Sequence, residues 1–239
     1  MARLTKNTEQ PHCQSCHARF RSVFCDLNGQ ELDELDEHKG CIHVKKGQVI
    51  FQEGSRAQGL YCINDGKIKL SKTGDEGKDH IVQLVKEGDI IGYNAVLSGE
   101  PYSLTATAIE DSKICFVPKS FFFQVVESNG NLSLQIMKLL SSSLKSTQKN
   151  LTDIAQKPVR ERLAEALLFL KETYGYESDE ETLNVILTRE EIANIVGTAT
   201  ETVIRLLSEF NHDQMIALNG KRIKILNHKA LLKTANIFY

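Results

Sequence analysis

Residues 187–210 read LTREEIANIVGTATETVIRLLSEF. Thr188 with Glu191 three residues on is a capping box and predicts a helix beginning there. Ile192 and Ile195 supply its apolar side, and Val196-Gly197 breaks it. Thr198 with Glu201 three residues on repeats the signal and predicts that Thr198 caps a second helix. Val203, Leu206, Leu207 and Phe210 recur at helical spacing, so the second helix buries one face. Thr200, Glu201, Ile204, Arg205 and Ser208 are left on the other side.

That outer face has the chemistry of base recognition. Glu201 and Arg205 are four residues apart and stand one above the other. In a major groove an arginine donates two hydrogen bonds to guanine O6 and N7, and a glutamate accepts from cytosine N4. A helix-turn-helix puts the N-terminal residues of its second helix at those base edges. The plainer alternative is that Glu201 only caps the helix and pairs with Arg205 on a solvated face.

The run L-T-R-E-E-I-A-N-I-V-G-T-A-T-E-T-V-I-R-L-L resembles the helix-turn-helix of the CRP/FNR family of bacterial transcription regulators. The resemblance extends over nearly the whole chain and is closer to the FNR-like branch than to the cyclic-AMP receptor branch. It implies that Glu201 and Arg205 read bases in a half-site containing TGA. It also brings Thr188, Arg189, Thr198, Thr200, Thr202, Lys221 and Arg222 to double-stranded DNA, and implies RNA polymerase as a partner. The cyclic-AMP-responsive branch has arginine where this chain has Thr200, and Ile204 is bulkier than the glycine or serine usual there.

Composition bounds the function less sharply. The chain has 239 residues, a net charge of −2 and a hydrophobic fraction of 41%, ordinary for a globular protein. From Thr182 onward, seven basic and five acidic residues give a net of +2, so the case for DNA rests on the motif and not on bulk charge. No run approaches the roughly 20 apolar residues of a membrane span, and the N-terminus lacks the apolar core of a signal peptide. A cytoplasmic protein without membrane association is expected. No nucleophile–base pair or phosphate-cradling loop is present, so an enzyme is not expected.

The six cysteines therefore read as thiols, metal ligands or redox sensors. In PHCQSCHARFRSVFCDL, Cys13 and Cys16 form a C-x-x-C pair flanked by His12 and His17, with Cys25 downstream and Cys115 far beyond in SKICFVP. Three readings compete: four thiolates holding an iron–sulfur cluster, a zinc or thiol–disulfide site using the C-x-x-C, and packed core thiols. The oxygen-sensing branch of the family holds a 4Fe-4S cluster on three N-terminal cysteines and one central cysteine. By that resemblance Cys13, Cys16, Cys25 and Cys115 are the ligands. Eight residues separate Cys16 from Cys25, a longer loop than in the best-known members. Cys62 reads as core, and Cys41 has no assigned role.

Residues 30–38 predict a short helix with Leu32 and Leu35 facing inward. From about residue 41 to 118, short strand-like runs (VIF, GLYCI, KIKLS, HIVQLV, TATAIEDSKICFV) alternate with glycine turns, a pattern of a small barrel or jelly roll. The segment resembles the family's cyclic-nucleotide-binding β-roll. In nucleotide-binding members, IIGYNAVLSGEPYS would carry a glutamate after the first glycine and an arginine before the serine. Here those positions are Tyr93 and Tyr102. Without that arginine a phosphate loses a charge-assisted contact of about 1.5–3 kcal/mol, so cyclic AMP is not the expected ligand.

After a short SFFFQVV helix, Leu132, Ile136, Leu140, Leu144, Leu151 and Ile154 mark a long helix whose stripe suits a two-stranded seam, hence a homodimer. The alternative is a helix buried on its own roll. Lys157-Pro158 marks a boundary, VRERLAEALLFLKETYG an amphipathic helix, and TLNVIL a strand. MIALNGKRIKIL reads as a hairpin with Asn219-Gly220 in a type I′ turn.

The fold expected is α+β: a cysteine-containing segment (1–29), a cyclic-nucleotide-binding-like β-roll (30–127), a dimerisation helix (128–157) and a winged helix-turn-helix domain (158–239). The function expected is a homodimeric DNA-binding regulator that responds to oxygen or redox state through its N-terminal cysteines. Two rivals stand beside it. One is a metal-free regulator of this type sensing a small molecule other than cyclic AMP in the roll. The other is a redox protein whose winged helix contacts protein.

Overall fold

The computed structural model describes residues 11–74 and 77–237, and the chain forms two compact units: the first takes the described residues up to 72 and 83–143, and the second those within 73–82 and from 144 onward.

In the first unit, two 3-10 turns (Cys13–Ser15 and His17–Arg21) precede α1 (Gly29–His38). Asn28 and Glu31 form a full capping box at its start, and Leu32 and Leu35 are buried as their spacing predicts. Eight strands follow: β1 (Gly40–Val44), β2 (Val49–Phe51), β3 (Gly59–Asp65), β4 (Lys67–Thr73), β5 (Asp79–Lys86), β6 (Ile90–Ile91), β7 (Thr105–Ala108) and β8 (Ser112–Pro118). They make two four-stranded sheets, β1-β8-β3-β6 and β2-β7-β4-β5. Ile63, Ile68, Val85, Ala106 and Ile114 are among the buried side chains that share one core. The run TATAIEDSKICFV is two strands, not one: the chain bends at residues 109–111 and passes from one sheet to the other. Between β6 and β7 lies the short helix α2 (Tyr93–Ser98), and α3 (Lys119–Ser128) follows β8.

The long helix α4 (Gly130–Gln156) begins at Gly130, which stands inside its first turn. Leu132 and Ile136 are buried in the core of the roll. They are correspondingly closed to a second chain, and the inward alternative holds for this end of the helix. Leu140, Leu144, Leu151 and Ile154 remain exposed, with Leu144 at 60% and Leu151 at 65%. Met137, seven residues before Leu144, is exposed too.

The second unit contains α5 (Val159–Tyr174), α6 (Arg189–Val196), α7 (Thr200–His212), the hairpin β9 (Ile216–Asn219) and β10 (Arg222–Ile225), and α8 (His228–Thr234). Pro158 is the N-cap of α5, consistent with its fixed φ and missing N–H. The run TLNVIL forms no strand: Thr182 and Leu183 make isolated bridges to Lys224 and Tyr176. Its alternate apolar residues Leu183, Val185 and Leu187 are buried without a ladder to extend. The hairpin register pairs Asn219 with Arg222, so the loop is Gly220-Lys221 and not Asn219-Gly220. Gly220 has φ +58 while Lys221 is not among the positive-φ residues, which excludes type I′ and matches glycine at the first position of a type II′ turn. Among the described residues, no helix is long and apolar enough to cross a membrane.

Candidate nucleic-acid interface and thiol cluster

The interface is built from α6, α7 and the hairpin. Thr188 Oγ1 accepts from Glu191 N–H at 3.0 Å and Glu191 Oε2 accepts from Thr188 N–H at 2.8 Å, the expected capping box. The face of α6 is Ile192, Ala193 and Val196; Ile195 is only half-buried. Gly197 then adopts a left-handed φ of +70, which turns the chain at the helix end. The N-cap of α7 is Ala199, without a side-chain cap, so Thr198 does not cap it. The turn after Gly197 is one residue longer than the capping pattern implied, and the helix begins at Thr200. Its inner face is as expected: Val203, Leu206, Leu207 and Phe210 are all buried.

On the outer face Glu201, Ile204, Arg205 and Ser208 are exposed, while Thr200 and Thr202 are half-buried. Arg205 does not pair with Glu201. Its guanidinium reaches along the helix to Glu209, which also accepts from Arg160 at 2.7 Å. An exposed i,i+4 pair contributes only about 0.3–0.5 kcal/mol, so little holds Arg205 away from a base edge.

The remaining candidates divide. Arg189 is drawn inward: Nη2 donates to the Gly220 carbonyl at 2.8 Å, and burial lowers its pKa. Its Nη1 is buried without a partner among the described residues. Arg189 therefore ties the start of α6 to the tip of the hairpin. Arg222 pairs with Glu177, and Lys224 with Glu181 at 2.5 Å. Lys221 is exposed at the turn itself. Arg160, outside the sequence motif, anchors the far end of α7 through Glu209, Asp213 and the face of Phe210, at 4.8 Å from the ring centre.

The thiols gather in the first unit. Cys13, Cys16, Cys62 and Cys115 line one pocket, whose walls also include Lys39 and Arg19. Lys39 Nζ donates to Cys13 Sγ at 3.0 Å and pairs with Asp36 at 2.5 Å. Both Asp36 oxygens accept from the Cys13 N–H. Burial alone would lower the Lys39 pKa, but its bonds to Asp36 and Cys13 outweigh that and raise it. Burial alone would raise the Asp36 pKa, but its bonds to Lys39 and Cys13 outweigh that and lower it. Burial pushes the Cys13 thiol up to about 11 despite Lys39, and raises Cys62 further. Asn64 donates to Cys16 Sγ at 3.2 Å.

Cys25 is not on the pocket wall, and its carbonyl and that of Cys13 both accept from Arg19, at 2.8 and 3.0 Å. Cys115 is disulfide-bonded to Cys41, the residue directly opposite it on β1. Among the described residues, no three His, Cys, Asp or Glu side chains are gathered closely enough to hold a metal ion. The donors nevertheless suit an iron–sulfur cluster in kind, because soft thiols face a small, largely apolar space. Sequence reasoning missed Lys39, Asn64 and Cys41. Only the i,i+3 spacing of Asp36 and Lys39 gave a local hint.

The position that would meet a nucleotide phosphate is filled. Tyr102 is buried, stacks on Phe51 with ring centres 4.0 Å apart, and donates its hydroxyl to the Gly59 carbonyl at 2.6 Å. Tyr93 is buried as well.

Residues 41–129 match the cyclic nucleotide-binding domain family, and residues 161–234 match the Crp-like helix-turn-helix domain family. Across 95% of this chain and 91% of its own length, the fumarate and nitrate reduction regulatory protein of Vibrio cholerae is 32% identical. Its Escherichia coli K12 counterpart is 34% identical over 94% of this chain and 90% of its own. Among solved structures, FixK2 from Bradyrhizobium japonicum has a TM-score of 0.74 at 21% identity, covering 82% of this chain and 96% of that one. TTHA1359, a CRP/FNR-family transcriptional regulator from Thermus thermophilus, has a TM-score of 0.70 at 24% identity, covering 82% of this chain and 98% of its own. At those identities the likeness is one of fold. The motif, the two matched domains and the full-length relatives agree: this chain belongs to the CRP/FNR family of transcription regulators, and the curated relatives it matches are of the FNR kind.

Proposed function

We propose that the protein is a homodimeric, sequence-specific DNA-binding regulator that responds to oxygen or redox state through its N-terminal thiols. The observation that carries the DNA reading is α7: its inner face is completely buried, and its outer face presents Glu201 and an Arg205 held only by a surface ion pair. Arg205 would donate to guanine, Glu201 accept from cytosine, and Lys221 approach phosphate, on half-sites containing TGA. Exposed Leu140, Leu144, Leu151 and Ile154 on α4 support pairing of two chains. Two recognition helices would then read a palindrome one helical turn apart. RNA polymerase is the partner this role requires, and the relatives' regulatory names are consistent with it.

A 4Fe-4S cluster on Cys13, Cys16, Cys25 and Cys115 would supply an oxygen-labile redox centre. Of these, Cys13, Cys16 and Cys115 share one pocket, while Cys25 must come in by movement of the short 17–25 segment. Lys39 and Asp36 hold Cys13 in place, and Asn64 supports Cys16. Metal-free sensing of a small molecule in the roll is less well supported, since Tyr93 and Tyr102 occupy the matching positions.

The test is Arg205→Ala, measured by fluorescence anisotropy on a palindromic TGA-containing duplex and on duplexes altered at each base. Affinity is expected to fall by about 1–3 kcal/mol with discrimination relaxed at a single base pair. Unchanged affinity and base preference would move the winged helix to a protein-contact role.

A further inference from the structure

One sulfur has two competing uses. Cys115 lies on the pocket shared with Cys13 and Cys16, and it is also bonded to Cys41. The β1-β8 ladder runs through five consecutive pairs, Gly40↔Phe116 to Val44↔Ser112, and places Cys41 opposite Cys115. The β3-β8 ladder places Cys62 opposite Cys115 from the other side. Directly opposed residues of antiparallel strands project from the same face, so three sulfurs stand in a row with Cys115 in the middle. We propose that Cys41 is a capturing cysteine: when no metal centre engages Cys115, Cys41 holds it as a disulfide and withholds it from cluster assembly until a thiol reductant opens the bond. This rests on the cluster reading above.

Cys41 and Cys62 are both half-buried, and Cys41 is the one bonded to Cys115. It lies on an outer strand of its sheet, whereas β3 is covered on both edges by β8 and β6. The oxidant is a peroxide. Cys41 Sγ attacks the peroxide oxygen, the O–O bond breaks, and a sulfenic acid and water (or an alcohol) result. Cys115 Sγ then displaces hydroxide from the Cys41 sulfur, the S–S bond forms, and the thiol proton leaves as water. Two electrons pass from the two sulfurs to one peroxide. Reversal is thiol–disulfide exchange, entered at the more accessible Cys41 sulfur.

The experiment uses the full-length, cluster-free protein, treated with hydrogen peroxide or with dithiothreitol. It is digested without reduction for mass-spectrometric peptide mapping, and in parallel given iron and sulfide without added thiol. Peroxide-treated wild type should yield a Cys41–Cys115 cross-linked peptide and take up little iron until dithiothreitol is added. Peroxide-treated Cys41→Ser should lack the cross-link and take up iron as reduced wild type does, and Cys62→Ser should behave like wild type. A cross-link joining Cys115 to Cys62, or an oxidised Cys41→Ser that remains refractory while its circular dichroism is native, would overturn the proposal. If dithiothreitol-reduced wild type itself takes up no iron, the cluster reading fails, and the withholding role with it; a dominant Cys41–Cys115 peptide would then show capture alone.

Discussion

The recognition helix and the thiol pocket are built by opposite means. In α7, every role follows from position along one helix: Val203, Leu206, Leu207 and Phe210 go in, and Glu201, Arg205 and Ser208 face out. In the pocket, Cys13 comes from the first 3-10 turn, Lys39 from the end of α1, Cys62 and Asn64 from β3 and Cys115 from β8, and no local pattern predicts the set. The difference teaches that a binding surface displayed on one helix is encoded locally, whereas a site enclosed by a sheet depends on strand register.

Substitutions break this contrast from either side. The largest effect is expected for Phe210→Ala, which removes a completely buried ring from the inner face of α7. The second unit should lose about 3–5 kcal/mol, read as a lower midpoint in urea unfolding. A loss under about 1 kcal/mol would show that the helix is held by something other than its apolar stripe.

On the pocket side, Lys39→Ala leaves Asp36 without its cation, and the Lys39 side chain is only 4% exposed. Removing one partner of a buried pair costs about 3 kcal/mol at the lower end of the usual range, seen as increased proteolytic access and hydrogen exchange around residues 11–25. The pH dependence has two arms. The folded pKa of Lys39 lies above its ordinary 10.5, so its contribution is whole below that value and is lost as pH rises through the folded pKa. Asp36 lies below its ordinary 3.8, so its contribution is whole above that value and is lost as pH falls through the folded pKa. The anchoring of the cysteine segment should therefore be flat across neutral pH and weaken at both extremes. In Lys39→Ala the alkaline arm should lose the lysine's share and keep only that of the buried Cys13 thiol, whose pKa is pushed up to about 11.

Leu151→Glu should weaken pairing of the chains by about 2–3 kcal/mol, the scale of one buried leucine, without altering the fold of the monomer. Sedimentation equilibrium measures it, and an unchanged association constant would remove α4 from the interface. The smallest effect belongs to Glu209→Ala, which removes two surface pairs, to Arg205 and to Arg160. It should change stability by no more than about 1 kcal/mol and leave DNA affinity intact or slightly tighter. A large loss of DNA binding would mean that Glu209 positions Arg205 for recognition.

Several elements are legible in the sequence alone. Helix α1, the roll's short strands, the start of α5 at Pro158 and the capping box at Thr188 follow from spacings of three or four residues, from strand-like runs between glycines or from a proline. The departures share a physical cause. TLNVIL has strand composition but finds no strand to pair with, so it contributes burial without a ladder. The hairpin turn moved by one residue because its position depends on how β9 and β10 pair. The stripe on α4 is continuous in sequence, yet Leu132 and Ile136 are taken up by the roll while Leu144 and Leu151 are left exposed.

The sequence by itself determined the helices, their inner and outer faces, and the residues offered to a base edge, because such patterns depend on neighbours within two helical turns. Tertiary structure alone decided that Cys41 meets Cys115 across 74 residues, that Cys62 flanks it, and that Lys39 turns inward to Cys13. Those contacts depend on strand register and on burial by distant segments, which spacing along the chain does not specify.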